Sequence, residues 1–134
     1  MKEIFTSDRY FCVWDFYIRH AQMLIRSERI KNGQKYNIDI IFFDTTYIQL
    51  YGILYGLTLR EVSKENFNKD NLNRYNSVDT WLSYDETKLF EITSGNEKYY
   101  IAAGFVIVCE NELDFDETSL GMVHVGRERV IARS

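Results

Sequence analysis

The chain has 134 residues, a length that suits one hydrophobic core and would leave two independent cores marginal. Hydrophobic residues at 46% and charged residues at 27% exclude a disordered chain, and a net charge of -4 argues against a protein that binds phosphate backbones through clustered Lys and Arg. No apolar stretch approaches the roughly 18 residues of a membrane span, and Met1 to Asp8 lacks a basic region followed by an apolar one, so a soluble cytoplasmic chain with neither nucleic-acid nor membrane partners is expected.

Proline is absent, which leaves every backbone N–H available for strand ladders. Tyr10 to Ile18 (YFCVWDFYI) is aromatic or β-branched at almost every position, the composition of a strand covered on both faces. Gln22 to Ser27 (QMLIRS) follows closely enough to return beside it as a first hairpin. The Asn32-Gly33 pair tolerates the positive φ of a type I′ turn and leads into Tyr36 to Phe43 (YNIDIIFF). There the period of two puts Tyr36, Ile38, Ile40 and Phe42 on the better core face and Asn37, Asp39, Ile41 and Phe43 on the other.

Thr46 to Tyr51 and Leu57 to Val62 are shorter runs, with Gly52 and Gly56 between them as turn or bulge positions. The first half therefore predicts a meander of about five strands. From about residue 63 to 86 the composition turns to Asn, Lys, Asp and Ser, with isolated anchors such as Phe67, Leu72, Tyr75, Trp81 and Tyr84. This reads as a polar excursion with one or two helical turns, the first capped by Ser63.

Lys88 to Thr93 begins a second hairpin, turned at Ser94-Gly95-Asn96-Glu97. Its returning strand, Lys98 to Cys109, is apolar on both faces and is expected to run through the middle of the sheet, with a bend allowed at Ala102-Ala103-Gly104. The tail, Gly121 to Ser134, reads as a hairpin around Gly126-Arg127 or as a packing helix. The whole predicts one mainly β domain over residues 1–134, an antiparallel sandwich or partly open barrel of about seven to nine strands with at most one or two short helices.

No nucleotide-binding, metalloprotease, nucleophile-elbow or Cys-x-x-Cys motif occurs, and no catalytic, cofactor-binding or metal-ligating residue is assigned. Cys12, Cys109, His20 and His124 are the only thiols and imidazoles, with the two histidines about a hundred residues apart and no close ligand pairs of the kind structural zinc uses. Asp15 and Asp39 each interrupt an apolar strand, as a carboxyl with raised pKa would, or as the marker of a wet face or edge. The densest charge feature, Glu110, Glu112, Asp114, Asp116 and Glu117, reads as a solvated loop or as an electrostatic face for a basic partner, the latter helped by ten tyrosines and two tryptophans.

The strings FYIRHAQMLIRS (Phe16 to Ser27), IDIIFFDTTYIQL (Ile38 to Leu50) and GLTLREV (Gly56 to Val62) resemble a group of small bacterial proteins without an assigned activity. The general type, small, acidic, aromatic and β-rich, is similar to immunity proteins that neutralise bacterial toxins. The similarity is one of composition and carries no functional residue over. It implies a non-enzymatic interaction module that binds another protein or self-associates. The alternatives are a small-molecule binder with a cavity lined by residues such as Trp14, Phe16, Tyr100 and Phe105, and an enzyme built from the carboxylates, imidazoles and thiols just named.

Overall fold

The computed structural model describes residues 2–63, 86–122 and 128–134. The helical turns and anchors expected between residues 64 and 85, His124, and the turn at Gly126-Arg127 lie outside the described residues. Among the described residues the chain forms eleven strands, the longer ones from proline-free runs rich in apolar and β-branched residues. They are β1 (Lys2–Tyr17), β2 (Gln22–Ser27), β3 (Ile30–Lys31), β4 (Gln34–Lys35), β5 (Asn37–Phe43), β6 (Tyr47–Gln49), β7 (Ile53–Val62), β8 (Lys88–Ser94), β9 (Glu97–Ala103), β10 (Phe105–Asn111) and β11 (Arg129–Arg133). Nine of them pair antiparallel in the order β11-β10-β5-β2-β1-β7-β8-β9-β6, an open sheet not closed into a barrel, while β3 and β4 form a separate small hairpin. Helix is confined to single 3₁₀ turns at Arg19–Ala21 and Leu120–Met122 among the described residues. This is the mainly β antiparallel architecture that the sequence patterns predict.

β1 decides the shape. Its residues Lys2 to Cys12 pair with β7 and Cys12 to Tyr17 with β2, with register shifts at Glu3/Phe5, Ser7/Tyr10 and Val13/Asp15. Bulges bend a strand and increase its twist, so the sheet curls about β1. Strands far apart in the sheet order then face each other: Phe42 of β5 and Phe90 of β8 meet edge to face at 5.7 Å. Between them lies the main core, in which Phe11, Ile25, Ile40, Leu59, Ile92, Ile101, Val106 and Val108 are fully buried.

Two sequence expectations need correction. The first half is not a meander: β7 returns to β1, β5 sits between β2 and β10, and β6 pairs with β9 at the far edge. Nor does Lys98 to Cys109 form one central strand. It breaks at Gly104, whose N–H donates to the Phe43 carbonyl at 2.8 Å, and the chain passes from β9 near one edge of the sheet to β10 near the other. Both strands still supply fully buried side chains to the core, so their hydrophobicity was informative about burial and misleading about position. The two hairpin turns form as expected, with Asn32 and Gly33 at φ 53° and 74° and Gly95 at φ 59°. No helix among the described residues is long and apolar enough to cross a membrane.

Gly56 on β7 lies opposite the β1 bulge between Ser7 and Tyr10 with φ 74°, and a Cβ there would sit 3.4 Å from the Ser7 carbonyl oxygen. Gly56→Ala is expected to lower stability by about 1–2 kcal/mol in urea unfolding, because it forces a side chain into the left-handed region. Gly52→Ala meets nothing within 4 Å and should change stability by less than about 0.5 kcal/mol.

Candidate functional site

The outer face that β5 shares with β2 and β10, where Asp39 could have marked a wet surface, is buried at its centre. Its alternate residues are Leu24 and Arg26 on β2, Asn37, Asp39 and Ile41 on β5, and Cys109 and Asn111 on β10, none more than slightly exposed. What covers them is the segment 112–122, a strap that leaves β10 and crosses the sheet with Leu113 and Leu120 turned inward. Leu120 packs with Leu24, Ile41 and Cys109, beside Trp14, Phe43 and Ile107.

Under the strap sits an ion pair with no exposure on either side chain. Arg26 and Asp39 are direct neighbours across β2 and β5, and the guanidinium grips the carboxylate twice, Nε to Oδ1 at 2.7 Å and Nη2 to Oδ2 at 2.9 Å. Such a pair is sustained at low dielectric only if its remaining valences are also met. Asn111 Nδ2 donates to Asp39 Oδ2 at 2.8 Å, and Arg26 Nη1 donates to the carbonyls of Glu117 at 2.8 Å and Asp114 at 3.4 Å. The Trp14 ring lies 5.3 Å from the guanidinium carbon.

Asn37 extends the network, its Nδ2 donating to Asn111 Oδ1 at 2.9 Å and to the Leu113 carbonyl at 2.7 Å. Further along, the Gly121 N–H reaches Gln22 Oε1 at 3.3 Å. The strap is thus fixed at its start, middle and end by polar groups rooted in three strands.

Its tip is a tight turn. Glu117 N–H donates to the Asp114 carbonyl at 2.9 Å and Asp114 N–H donates to the Glu117 carboxylate at 3.0 Å, leaving Phe115 and Asp116 at the apex. Phe115 is 68% exposed. On one side of it lies a cleft of about 490 Å³ with Glu28, Arg29, Ile30 and Lys35, on the other a smaller one of about 180 Å³ with Trp14, Asp15, Asp116, Glu117 and Thr118.

The five acidic residues singled out in the sequence divide here. Glu110 pairs with Arg129 at 2.6 Å, Asp114 with Lys35 at 3.6 Å, and Glu117 closes the turn. Glu112 and Asp116 are exposed and form no ion pair among the described residues.

Of the candidates for chemistry, Cys12, Asp39 and Cys109 fall on one cross-strand row with Arg26, in the order Cys12, Arg26, Asp39, Cys109. Three strand spacings of about 4.8 Å put the thiols roughly 14 Å apart, beyond a disulfide. Asp39 is neither a wet-face marker nor a free acid, because Arg26 and Asn111 hold its oxygens and the strap seals it. Burial, with the charges of Asp39 and Glu128 added, pushes the Cys109 thiol up to about 12, so it stays protonated and unreactive near neutrality.

His20 is exposed in a left-handed turn with Nδ1 4.0 Å from Asp44, remote from that row. Asp15 accepts the N–H of Phe16 at 2.8 Å. The four aromatics considered as cavity lining do not share a chamber: Trp14 and Phe105 lie on the outer face of β1 and β10, Tyr100 packs with Leu89 and Val62 on the opposite half of the sheet, and Phe16 is exposed. No group of three or more His, Cys, Asp or Glu among the described residues is arranged to hold a metal.

Sequence reasoning missed Arg26 and Glu91. Glu91 is 3% exposed on β8, with Arg60 at 3.5 Å and the Tyr100 hydroxyl donating at 3.3 Å. Both interrupt apolar runs (LIRS, LFEIT) just as Asp39 does, and that shared signal would have found them. Comparison with known proteins gives no family model, no curated protein and no solved structure that matches this chain.

Asp39→Asn leaves a buried guanidinium without its counter-charge and is expected to cost about 3–5 kcal/mol in chemical denaturation, far more than an exposed-carboxylate change such as Asp116→Asn. The thiol gives a pH signature. The unfolded chain releases the Cys109 proton near 9.0 and the folded chain near 12, so its contribution to stability is complete below pH 9 and is lost as pH rises toward 12. Between pH 9 and 11 the wild type should lose stability more steeply than Cys109→Val, as read from denaturation midpoints at each pH.

Proposed function

We propose that this chain is a non-enzymatic protein-interaction module, comparable in kind to bacterial toxin-immunity proteins, that presents the strap to a basic partner protein. One observation supports this reading above the others. A large aromatic side chain, Phe115, stands exposed between Asp114 and Asp116 on a turn whose backbone is fixed from below by the Arg26–Asp39 pair. An exposed phenylalanine on a pre-ordered turn loses little further entropy on binding, and aromatic anchors dominate interface energies.

The flanking carboxylates serve encounter and orientation. Glu112 and Asp116 carry charge that no cation among the described residues pairs with, which favours approach of a positively charged surface. The non-enzymatic part of the reading rests on the fate of the reactive groups: Asp39 is consumed by Arg26 and the Cys109 thiol is held protonated. Residence in the cytoplasm fits two cysteines that are free and unpaired. Self-association through the edge strand β11 is disfavoured, because antiparallel pairing centred on Ile131 would set Arg129 against Arg133 of a second copy.

The test is comparative capture of basic proteins on immobilised wild type, Phe115→Ala and Asp116→Lys. Both side chains are exposed, so thermal unfolding should be nearly unchanged in the variants. A partner held by the wild type should bind roughly 30-fold more weakly to Phe115→Ala, the equivalent of about 2 kcal/mol for a hot-spot aromatic, and should be lost from Asp116→Lys. Equal retention by all three places the interface elsewhere and rejects the strap.

A further inference from the structure

We propose that Arg9 and Arg29 form a binding site for a phosphate group at the end of the sheet where β2 runs into the β3–β4 hairpin, a site that shares Glu28 and Arg29 with the cleft beside Phe115 and does not rest on the strap reading. The cleft there has a volume of about 230 Å³ and is lined by Asp8, Arg9, Tyr10, Ser27, Glu28 and Arg29.

One residue ties the Arg9 guanidinium to the main chain of Arg29. The Tyr36 carbonyl accepts from the Arg9 guanidinium, while the Tyr36 N–H donates to the Arg29 carbonyl at 2.6 Å. Arg9 is further anchored by Nε to Ser27 Oγ and Nη2 to the Ser27 carbonyl, both at 3.0 Å. This fixes its fork and leaves Nη1 without an acceptor among the described residues. Arg29 makes no ion pair among the described residues, although the chain as a whole is acidic. Burial first, and the Arg29 charge next, lower the Arg9 guanidinium below its ordinary value, against the opposing pull of Glu110 and Asp8.

The two guanidiniums meet in the cleft with Asp8 as the opposing carboxylate, and an anion seated against both relieves the repulsion by which Arg29 lowers Arg9. A phosphate suits the pair better than a carboxylate. It carries up to two charges and three or more acceptor oxygens to serve both guanidiniums, whereas a carboxylate brings one charge and two oxygens. Of the two lining acids, Glu28 is engaged by Lys35 at 3.5 Å, and Asp8 is the one that opposes an anion.

Nuclear magnetic resonance titration of the full ¹⁵N-labelled chain with inorganic phosphate, at ionic strength held constant with chloride, tests the site. The expected result is saturable shifts of the Arg9, Tyr10, Glu28 and Arg29 amides. Arg29→Gln, a change at an exposed side chain, should weaken binding about tenfold, and Asp8→Asn should strengthen it about threefold. Acetate should bind at least tenfold more weakly than phosphate. Phenyl phosphate distinguishes the source: saturation at similar concentration identifies a phosphate ester, and binding of inorganic phosphate alone identifies the free ion. Shifts that do not saturate, that persist undiminished in Arg29→Gln, or that acetate reproduces equally overturn the proposal.

Discussion

A guanidinium and a carboxylate buried side by side on neighbouring strands constrain everything above them. Arg26 and Asp39 are closed off from solvent, so the surrounding chain must supply hydrogen bonds. Asn111 meets part of the carboxylate, and the carbonyls of Asp114 and Glu117 meet the guanidinium. The strap is therefore required by the pair as much as it conceals it. An apolar replacement on the sheet would pack adequately, but it would not specify where the turn at Asp114–Glu117 sits.

That specification links fold to proposed function. The curled sheet, bent at the β1 bulges, makes an inner core from the two halves and leaves one outer face for the strap to cover. The strap's inner side chains, Leu113 and Leu120, extend the apolar packing, and its carbonyls complete the ion pair. What remains outward is Phe115 with its carboxylates. A loop fixed only by side-chain contacts at its ends would leave the apex mobile, whereas this one is tied through its own backbone beneath the apex.

Local chemistry was legible in the sequence wherever the signal is itself local. Asn32-Gly33 and Gly95-Asn96 mark turns because few other residues accept positive φ, and the period of two in YNIDIIFF identified Ile40 and Phe42 as inward residues. Strand order was not legible. The break at Gly104 sends the chain from one side of the sheet to the other with no change in hydrophobicity to announce it. The cover over the outer face of β5 was not legible either, because it comes from more than seventy residues further along the chain. For the acidic segment, side-chain charge was visible in the sequence, but the groups that anchor it are main-chain carbonyls of Asp114 and Glu117, which residue type does not reveal.

The most direct measurement is residue-resolved amide hydrogen exchange on the wild type and on a double variant, Arg26→Met with Asp39→Leu, which removes both charges and keeps the face apolar. If the ion pair positions the strap, the amides of Leu113, Glu117 and Gly121 should be protected in the wild type and exchange rapidly in the variant, while those of Phe42 and Ile101 in the inner core stay slow. Equal protection of the strap amides in both proteins would contradict the account and assign the strap's position to Leu113 and Leu120 alone.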